Sequence, residues 1–241
     1  MKPTTTTTLP KCWQDLADLF AAEIDRVLLY GAPGTGKTYA GLTMKPAAQP
    51  SYRLICTDEM TTANIEGLWQ PNGDRFTYRE GLAVRAWRTG GRLVIDEINR
   101  ANSDVMSLLL AFTDTTASSS WQNEETGEIV TPAPGYSVVL TMNGEPDDLE
   151  PALLDRFTAR LRITEPHPDA IAALPTYLHA IAASLGRLTD PRERASVRAF
   201  QTVAQLATRY GLARAIELVL PQHADALADA IAVAALESPQ P

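Results

Sequence analysis

The stretch that decides the fold is Gly31-Ala32-Pro33-Gly34-Thr35-Gly36-Lys37-Thr38, which lies between a short apolar run and a segment with helical spacing. Glycines allow successive backbone N–H groups to turn inward around phosphate oxygens. The lysine adds positive charge beside the β- and γ-phosphates, and the threonine hydroxyl is a ligand for Mg²⁺. A helix that begins at such a loop adds its partial positive charge. The stretch predicts a phosphate-binding loop, with a chance glycine-rich turn as the alternative.

Short apolar runs recur along the chain and alternate with helical patterns. The runs cover residues 26–30, 52–56, 92–95, 137–141 and 160–163, and the helical stretches cover roughly 13–20, 36–44, 81–88, 103–114 and 151–157. Continuous apolar runs are typical of buried parallel strands, and their alternation with helices indicates βαβ units. We therefore predict an α/β fold with a five-stranded parallel sheet and helices on both faces.

Three further segments complete the predicted organisation. Residues 1–10 form a flexible N-terminal tail, 11–165 the α/β domain, and 166–241 a small all-α lid of three or four helices after Glu165-Pro166-His167-Pro168. Gly186, Gly211 and Pro221 mark breaks between the lid helices. Asn-Gly and Thr-Gly turns between aromatic or β-branched residues predict two β-hairpin inserts, near 64–80 and 115–136.

Composition excludes several classes of protein. The chain has 241 residues, 45% of them hydrophobic, with 21 basic and 29 acidic side chains and a net charge of −8. This is too apolar for a disordered chain, and the negative charge disfavours broad nucleic-acid binding. The threonine-rich N-terminus lacks a signal peptide's apolar region, and no run is long enough to span a membrane. With two cysteines and three scattered histidines, we expect a cytoplasmic protein without a disulfide scaffold or a metal beyond Mg²⁺.

A pair of acidic residues follows the third apolar run, in Leu93-Val94-Ile95-Asp96-Glu97. Carboxylates at the carboxyl end of a parallel strand lie where open α/β folds bind ligands. Asp96 is therefore placed to hold Mg²⁺, and Glu97 to act as the general base that activates water. The alternative is an ordinary pair of solvated acids at the end of a strand.

These motifs resemble those of AAA+ ATPases, in order and in spacing, over about residues 26–163. The loop at 31–38 resembles Walker A, and Val94-Ile95-Asp96-Glu97-Ile98-Asn99-Arg100-Ala101 resembles Walker B of the MoxR-type and dynein-related branch. Thr141-Met142-Asn143 resembles sensor 1, and Ala152-Leu153-Leu154-Asp155-Arg156-Phe157 resembles the arginine-finger segment. The match in the lid is weaker and rests on Ser196-Val197-Arg198-Ala199, which resembles the start of the sensor 2 helix.

The resemblance implies ATP and Mg²⁺ as cofactors and assigns roles to named residues. The nucleotide-binding residues are Gly31, Ala32, Pro33, Gly34, Thr35, Gly36, Lys37, Thr38 and Tyr39; the metal ligands are Thr38 and Asp96; the catalytic residues are Glu97, Asn143, Arg156 and Arg198. Asn143 is alternatively a turn residue before Gly144. Arg156 is implied to reach a neighbouring subunit's nucleotide, with Arg160 as a second candidate. A surface ion pair of Arg156 with Asp155 or Asp148 is the alternative.

Two implied roles are less specific than the others. Arg198 is implied to sense nucleotide from the lid, but other arginines nearby make a solvated basic helix an alternative reading. Arg100 is a secondary candidate, either for contact with a neighbouring subunit or for capping the region that follows.

For function, the resemblance implies a subunit of a homo-oligomeric, hexameric ring. The ring is implied to hydrolyse ATP and to remodel or activate a separately encoded protein, such as one with a von Willebrand factor A domain. The inserts look like a helix-2 insert and a pre-sensor-1 hairpin. Their aromatic residues either grip a partner or pack within the hairpins. Two alternatives stay open: a nucleic-acid motor, suggested by the basic side chains near the first insert, and a nucleotide-gated scaffold. The aromatic residues are Trp69, Phe76, Tyr78 and Trp121, and the basic ones Arg75, Arg79, Arg85 and Arg88.

Overall fold

The computed structural model of the chain describes residues 9–115, 117–123, 127–225 and 227. Its strands are β1 (Arg26–Tyr30), β2 (Ser51–Ile55), β3 (Gly67–Asn72), β4 (Arg75–Glu80), β5 (Arg92–Asp96), β6 (Trp121–Gln122), β7 (Ile129–Val130), β8 (Ser137–Thr141) and β9 (Ala159–Arg162). Its α-helices are α1 (Lys11–Ala21), α2 (Lys37–Thr43), α3 (Leu82–Thr89), α4 (Ser103–Thr113), α5 (Pro151–Arg156), α6 (Pro168–Ala172), α7 (His179–Gly186), α8 (Val197–Tyr210) and α9 (Leu212–Val219).

Five of the strands form one parallel sheet in the order β2-β5-β8-β1-β9. Every residue of β5 and β8 is buried, as continuous apolar runs predict for central strands. Leu93 and Ile95 of β5 share a core cluster with Trp87 of α3 and Phe112 of α4. On the other face, Gly41 of α2 lies against Val94 and Val139. Helices therefore cover both faces, and the predicted fold class is confirmed.

The predicted bounds of the sheet strands and of the helices between them differ from the structure by a single residue at most. The helix predicted at 13–20 extends over Lys11–Ala21. For the central strands β1, β5 and β8 the agreement follows from burial, because a strand covered on both faces is mostly apolar, whereas a surface helix is apolar along one stripe only.

Both predicted inserts contain a β-hairpin. In the first, β3 pairs antiparallel with β4 and Trp69 lies opposite Tyr78. The chain reverses at Gly73, whose φ of 61° is the left-handed conformation that glycine adopts freely. In the second, Trp121 lies opposite Val130. The predicted turn at Glu125-Thr126-Gly127 falls mostly on residues 124–126, which lie outside the described residues.

The chain divides into two compact units. One contains the sheet and both hairpins and comprises 15–31 and 37–162. The other comprises 1–14, 32–36 and 163–241 and contains the helices α6 to α9 in its described part. The predicted breaks at Gly186, Gly211 and Pro221 fall at the ends of α7, α8 and α9. Most of the predicted tail, residues 1–8, lies outside the described residues.

The helical unit has its own core. Leu178, Phe200, Val203 and Ile216 are buried together. Separately, Trp13 packs edge-on against His167 with ring centroids 4.7 Å apart, and its indole N–H donates to the Glu165 carbonyl at 3.1 Å. An indole is buried at low cost when its single donor finds a carbonyl.

Across the described ranges, no helix is both long and apolar enough to cross a membrane, and no group of three or more His, Cys, Asp or Glu is arranged to hold a metal ion. Cys12 and Cys56 are both free thiols and both buried. Burial, with smaller contributions from the negative charges of Asp96 and Glu97, raises the pKa of Cys56 to about 12.

Candidate functional site

The predicted phosphate-binding loop connects β1 to α2, as its sequence requires. Gly34 and Gly36 have φ values of 74° and 101°, which side chains rarely adopt, so glycine is needed at both positions. The Thr35 hydroxyl donates to the Ala32 carbonyl at 3.1 Å and fixes the turn. Pro33 is exposed, as is Tyr39 on the first turn of α2.

Lys37 is buried at the start of α2, with only 6% of its surface exposed. Its ammonium group donates to the Gly31 carbonyl at 3.0 Å and to the Asn143 side-chain oxygen at 3.2 Å. Gly31 is itself bridged to Gly144, because its N–H donates to the Gly144 carbonyl at 3.2 Å. Two residues more than a hundred positions apart, Lys37 and Asn143, are thus brought together at the carboxyl edge of the sheet.

Asp96 accepts hydrogen bonds from three side chains of the site. One carboxylate oxygen accepts from the Thr38 hydroxyl at 2.9 Å and also from the Thr141 hydroxyl. The other oxygen pairs with the Arg53 guanidinium at 2.5 Å. Burial alone would raise the pKa of Asp96, but the hydrogen bonds from Thr141, Arg53 and Thr38 outweigh it and hold the pKa below its usual value. The carboxylate is therefore charged at neutral pH.

The pair formed by Thr38 and Asp96 fits Mg²⁺. Both offer oxygen atoms, which this hard cation prefers, and they already lie within hydrogen-bond distance of each other. Lys37 immediately precedes Thr38 in the chain, so the residues that would hold the ion adjoin the lysine predicted to bind phosphate.

Glu97 adopts a backbone conformation that is unusual for a residue with a side chain. Its φ of 56° and ψ of 44° place it in the left-handed region immediately after β5. Such outliers cost energy and cluster at functional sites. Its carboxylate accepts from the Arg100 guanidinium at 2.9 Å, three residues further on. Arg100 thus contacts the predicted base directly.

The two candidate finger residues have different surroundings. Arg156 is half-buried, donates to the Ala152 carbonyl at 2.8 Å and pairs with Asp114 at 3.3 Å. The alternative reading, an ion pair of Arg156 within its own chain, is observed, but the acid is Asp114 at the end of α4 rather than Asp155 or Asp148. Arg160 donates to the carbonyls of Phe157 and Leu154 at 2.9 and 2.8 Å, which satisfies the end of α5.

In the helical unit, Ser196 caps α8 by accepting the Ala199 N–H at 3.3 Å, so the predicted helix start is observed. Arg198 is the second residue of this helix and is exposed. A Cβ on Gly34 would come within 2.7 Å of the Ser196 Cβ, and one on Gly36 within 2.8 Å of the His167 Cβ. These glycines are needed for close packing as well as for their backbone angles.

Two residues of the site were given no functional role in the sequence analysis. Thr141 was noted only as part of the sensor 1 resemblance, and Arg53 only as part of an apolar run. Arg53 could have been recognised only by knowing that β2 pairs with β5, with Arg53 opposite Val94 and Ile55 opposite Asp96. Among the described residues, neither Arg156 nor Arg160 donates to Lys37, Thr38, Asp96 or Asn143.

A family model described as "AAA domain (dynein-related subfamily)" matches residues 26–157. The chain belongs to this family. The matched segment contains the phosphate-binding loop, Asp96, Asn143 and Arg156, and it ends before Arg198. Membership confirms the predicted resemblance to AAA+ ATPases of the MoxR-type and dynein-related branch, and with it an ATPase-type nucleotide-binding domain.

Curated relatives match over similar segments. Protein NorQ of Paracoccus denitrificans is 30% identical over 138 residues, which is 55% of this chain and 50% of that protein. Uncharacterised proteins of Staphylococcus haemolyticus and Staphylococcus saprophyticus are each 28% identical over 123 residues, which is 48% of this chain and 46% of theirs. The chain thus matches about half the length of these relatives.

Proposed function

We propose that this chain hydrolyses ATP with Mg²⁺ as a subunit of a hexameric ring of identical chains, and that the ring remodels or activates a separately encoded protein partner. The observation that carries the proposal is the cluster of Lys37, Thr38, Asp96 and Asn143 at one edge of the sheet, with Glu97 next to it. A partner with a von Willebrand factor A domain stays part of the proposal through the family resemblance.

Each residue of the cluster has one task. The loop and Lys37 would bind the phosphates, and Thr38 and Asp96 would hold Mg²⁺, which would supply positive charge to offset that of the phosphates. Asn143 lies beside Lys37 and offers its amide to the attacking water. Glu97 accepts the proton of that water, for which it must leave Arg100.

Arg156 supports a shared active site. Among the described residues, its hydrogen bonds go to α5 and to Asp114 and not to the four clustered groups. An arginine from a neighbouring subunit stabilises the charge of the transferring phosphoryl group. Arg160 stays the second candidate; its Nε and one terminal nitrogen donate to the carbonyls that end α5.

The hairpins are the proposed contact with the partner. Cross-strand packing accounts for Tyr78, which lies between Trp69 and Trp121 at 5.6 and 6.5 Å. Phe76 and Ile129 are different, since each is 69% exposed. An exposed aromatic and an exposed aliphatic side chain on adjoining hairpins are suited to hold another protein.

The nucleic-acid alternative receives less support. Arg88 is neutralised by Glu80 and Glu128 at 2.7 and 2.8 Å, which removes one of the four arginines that suggested it. The alternative of a nucleotide-gated scaffold predicts that the chain binds ATP without hydrolysing it. Measuring ATP hydrolysis distinguishes it from the proposed function.

The test combines binding and turnover. Lys37→Ala should abolish binding of a fluorescent ATP analogue, and Glu97→Gln should retain binding but stop phosphate release, because an amide cannot act as the base. Lys45→Ala, whose lysine bonds to carbonyls near the end of α2, is the control and should behave as wild type. Wild-type turnover by Glu97→Gln would show that the base has been assigned wrongly.

A further inference from the structure

A cavity of about 690 Å³ lies within the sheet-containing unit, beside the free edge of β2. Its walls are the end of β2, the segment that follows, one face of the first hairpin and the start of α3. The residues that matter below are Arg53, Ile55, Leu68, Arg79 and Arg85. We call this cavity the β2 groove.

The charges of the β2 groove are unbalanced. Arg79 and Arg85 are exposed, and in the part of the chain that the structure describes neither forms an ion pair. The groove also contains Glu80 and Glu59, but Glu80 already pairs with Arg88. Glu59 alone opposes the two arginines, so the groove favours an anionic ligand.

The floor of the groove offers backbone groups as well. β2 is an edge strand that pairs with β5 alone. The Pro50 carbonyl and the Cys56 N–H bond to β5, at 2.8 and 2.9 Å. Since these groups alternate in direction along a parallel strand, those of Arg53 and Ile55 face the free edge. Ile55 is 48% exposed and Leu68 41%, so apolar surface adjoins these backbone groups.

Arg53 connects the groove with the nucleotide site. Its guanidinium pairs with Asp96, although 44% of its side chain is exposed. The residues proposed to hold Mg²⁺ include that same carboxylate. Two cationic groups that share one carboxylate repel each other, so a bound ion weakens the hold of Asp96 on Arg53. A released Arg53 adds a third positive charge to the groove that it already lines.

We propose that the β2 groove binds an acidic, extended segment of the protein partner, and that Arg53 makes this binding tighter when Mg²⁺ and ATP occupy the site. The inference rests on the proposed function and adds to it the chemistry of the partner and the direction of the coupling. Extended peptides add to free strand edges through main-chain hydrogen bonds, which nucleic acids cannot supply in that pattern. By reciprocity, the acidic segment also tightens the binding of Mg²⁺.

The first experiment measures binding without nucleotide, so it does not depend on the ATPase. The probe is a short fluorescein-labelled peptide of alternating Glu and Val, followed by fluorescence anisotropy at low salt. A peptide of alternating Gln and Val is the control. We expect the Glu peptide to bind about tenfold more tightly than the Gln peptide, because it can form two or three additional charge contacts that are partly screened by solvent.

Variants locate the site. Arg79→Gln with Arg85→Gln should remove the preference for the Glu peptide while basal ATP turnover is unchanged. Arg75→Gln, on the same hairpin but outside the groove lining, should retain the preference. Equal binding of both peptides, or full binding by the double variant, would overturn the proposal. A single-stranded oligonucleotide that binds more tightly through the same two arginines would also overturn it, in favour of a nucleic-acid ligand.

The second experiment measures the coupling. In the Glu97→Gln protein, the Glu peptide should bind about threefold more tightly with Mg²⁺ and ATP than without them, as one added charge contact predicts. In Glu97→Gln combined with Arg53→Gln, nucleotide should no longer change peptide affinity. Binding of the fluorescent ATP analogue is recorded alongside, so a failure of nucleotide binding is distinguished from a failure of coupling. Unchanged affinity in a nucleotide-bound protein would disprove the role of Arg53.

Discussion

Asp96 illustrates what a sequence does and does not determine about a single residue. Its place at the end of an apolar strand was predictable, because the end of a parallel strand fixes where its carboxylate emerges. Its partners Thr38, Thr141 and Arg53 belong to three different elements. The pairing with Arg53 depends on the order of strands in the sheet, which single-strand patterns do not encode.

Glu97 and Arg100 give a prediction at the same scale. The ion pair holds the base, so Arg100→Ala should raise the basal rate of ATP hydrolysis about twofold, the effect expected of an exposed pair three residues apart. Phosphate release at saturating ATP is the measurement, with Arg75→Ala as a control remote from the base. A slower Arg100→Ala enzyme would instead place Arg100 among the groups that assist the reaction.

His167 gives a prediction about pH. Burial, opposed in part by Asp169, holds the pKa of His167 below its usual 6.5, so the folded protein keeps the ring neutral. The unfolded chain binds a proton below that value and the folded chain does not. The contribution of neutral His167 to the free energy of unfolding is therefore complete above pH 6.5, and it is lost as the pH falls through the pKa that His167 has in the folded state.

Calorimetry between about pH 7.5 and about pH 5.5 tests this. We expect the melting temperature of the helical unit to fall with acidification, and to fall less in His167→Gln than in wild type. His179→Gln serves as the matched control and should keep the wild-type slope. An identical slope in all three proteins would exclude His167 as the titrating group.

At the scale of elements, the first hairpin was predictable from Asn72-Gly73 between aromatic segments, since a tight reversal needs a residue tolerant of positive φ. The contacts that link the two hairpins were not predictable from the sequence. Arg88 on α3 pairs with Glu80 of the first hairpin and with Glu128 in the second insert. Tyr78 stacks on Trp121 beside it. Contacts between separate inserts leave no periodic pattern in either.

Arg88 therefore predicts that the hairpins are coupled. Arg88→Ala should speed amide hydrogen exchange in both β3–β4 and β6–β7, because the ion pairs that join them to α3 are lost. Mass spectrometry of peptic fragments measures this. Arg85→Ala, on the same helix but without a partner on the second hairpin, should speed neither. Faster exchange in one hairpin alone would show that they open independently.

At the scale of the whole molecule, the proposed function requires an active site completed by a neighbouring subunit, with Arg156 as the residue supplied. Arg156→Ala and Lys37→Ala proteins should each be inactive. Mixed together, they should regain part of the wild-type rate, because an intact loop then meets an intact finger. Phosphate release across mixing ratios is the measurement. A mixture of Lys37→Ala and Glu97→Gln proteins is the control, because both of these defects lie in the nucleotide site of the subunit that carries them. Lack of recovery in proven mixed assemblies would contradict a finger acting between subunits.

The buried thiol of Cys56 offers a way to time how often the sheet edge opens. With its pKa raised to about 12, the fraction present as reactive thiolate at pH 7 is about one in a hundred thousand, so a disulfide reagent reacts almost only after β2 separates from its neighbours. In a Cys12→Ser background, the rate of labelling then counts opening events at the strand that adjoins Asp96. Because a ligand that binds only the closed form suppresses opening in proportion to its occupancy, titrating nucleotide against the labelling rate yields its affinity without any attached dye.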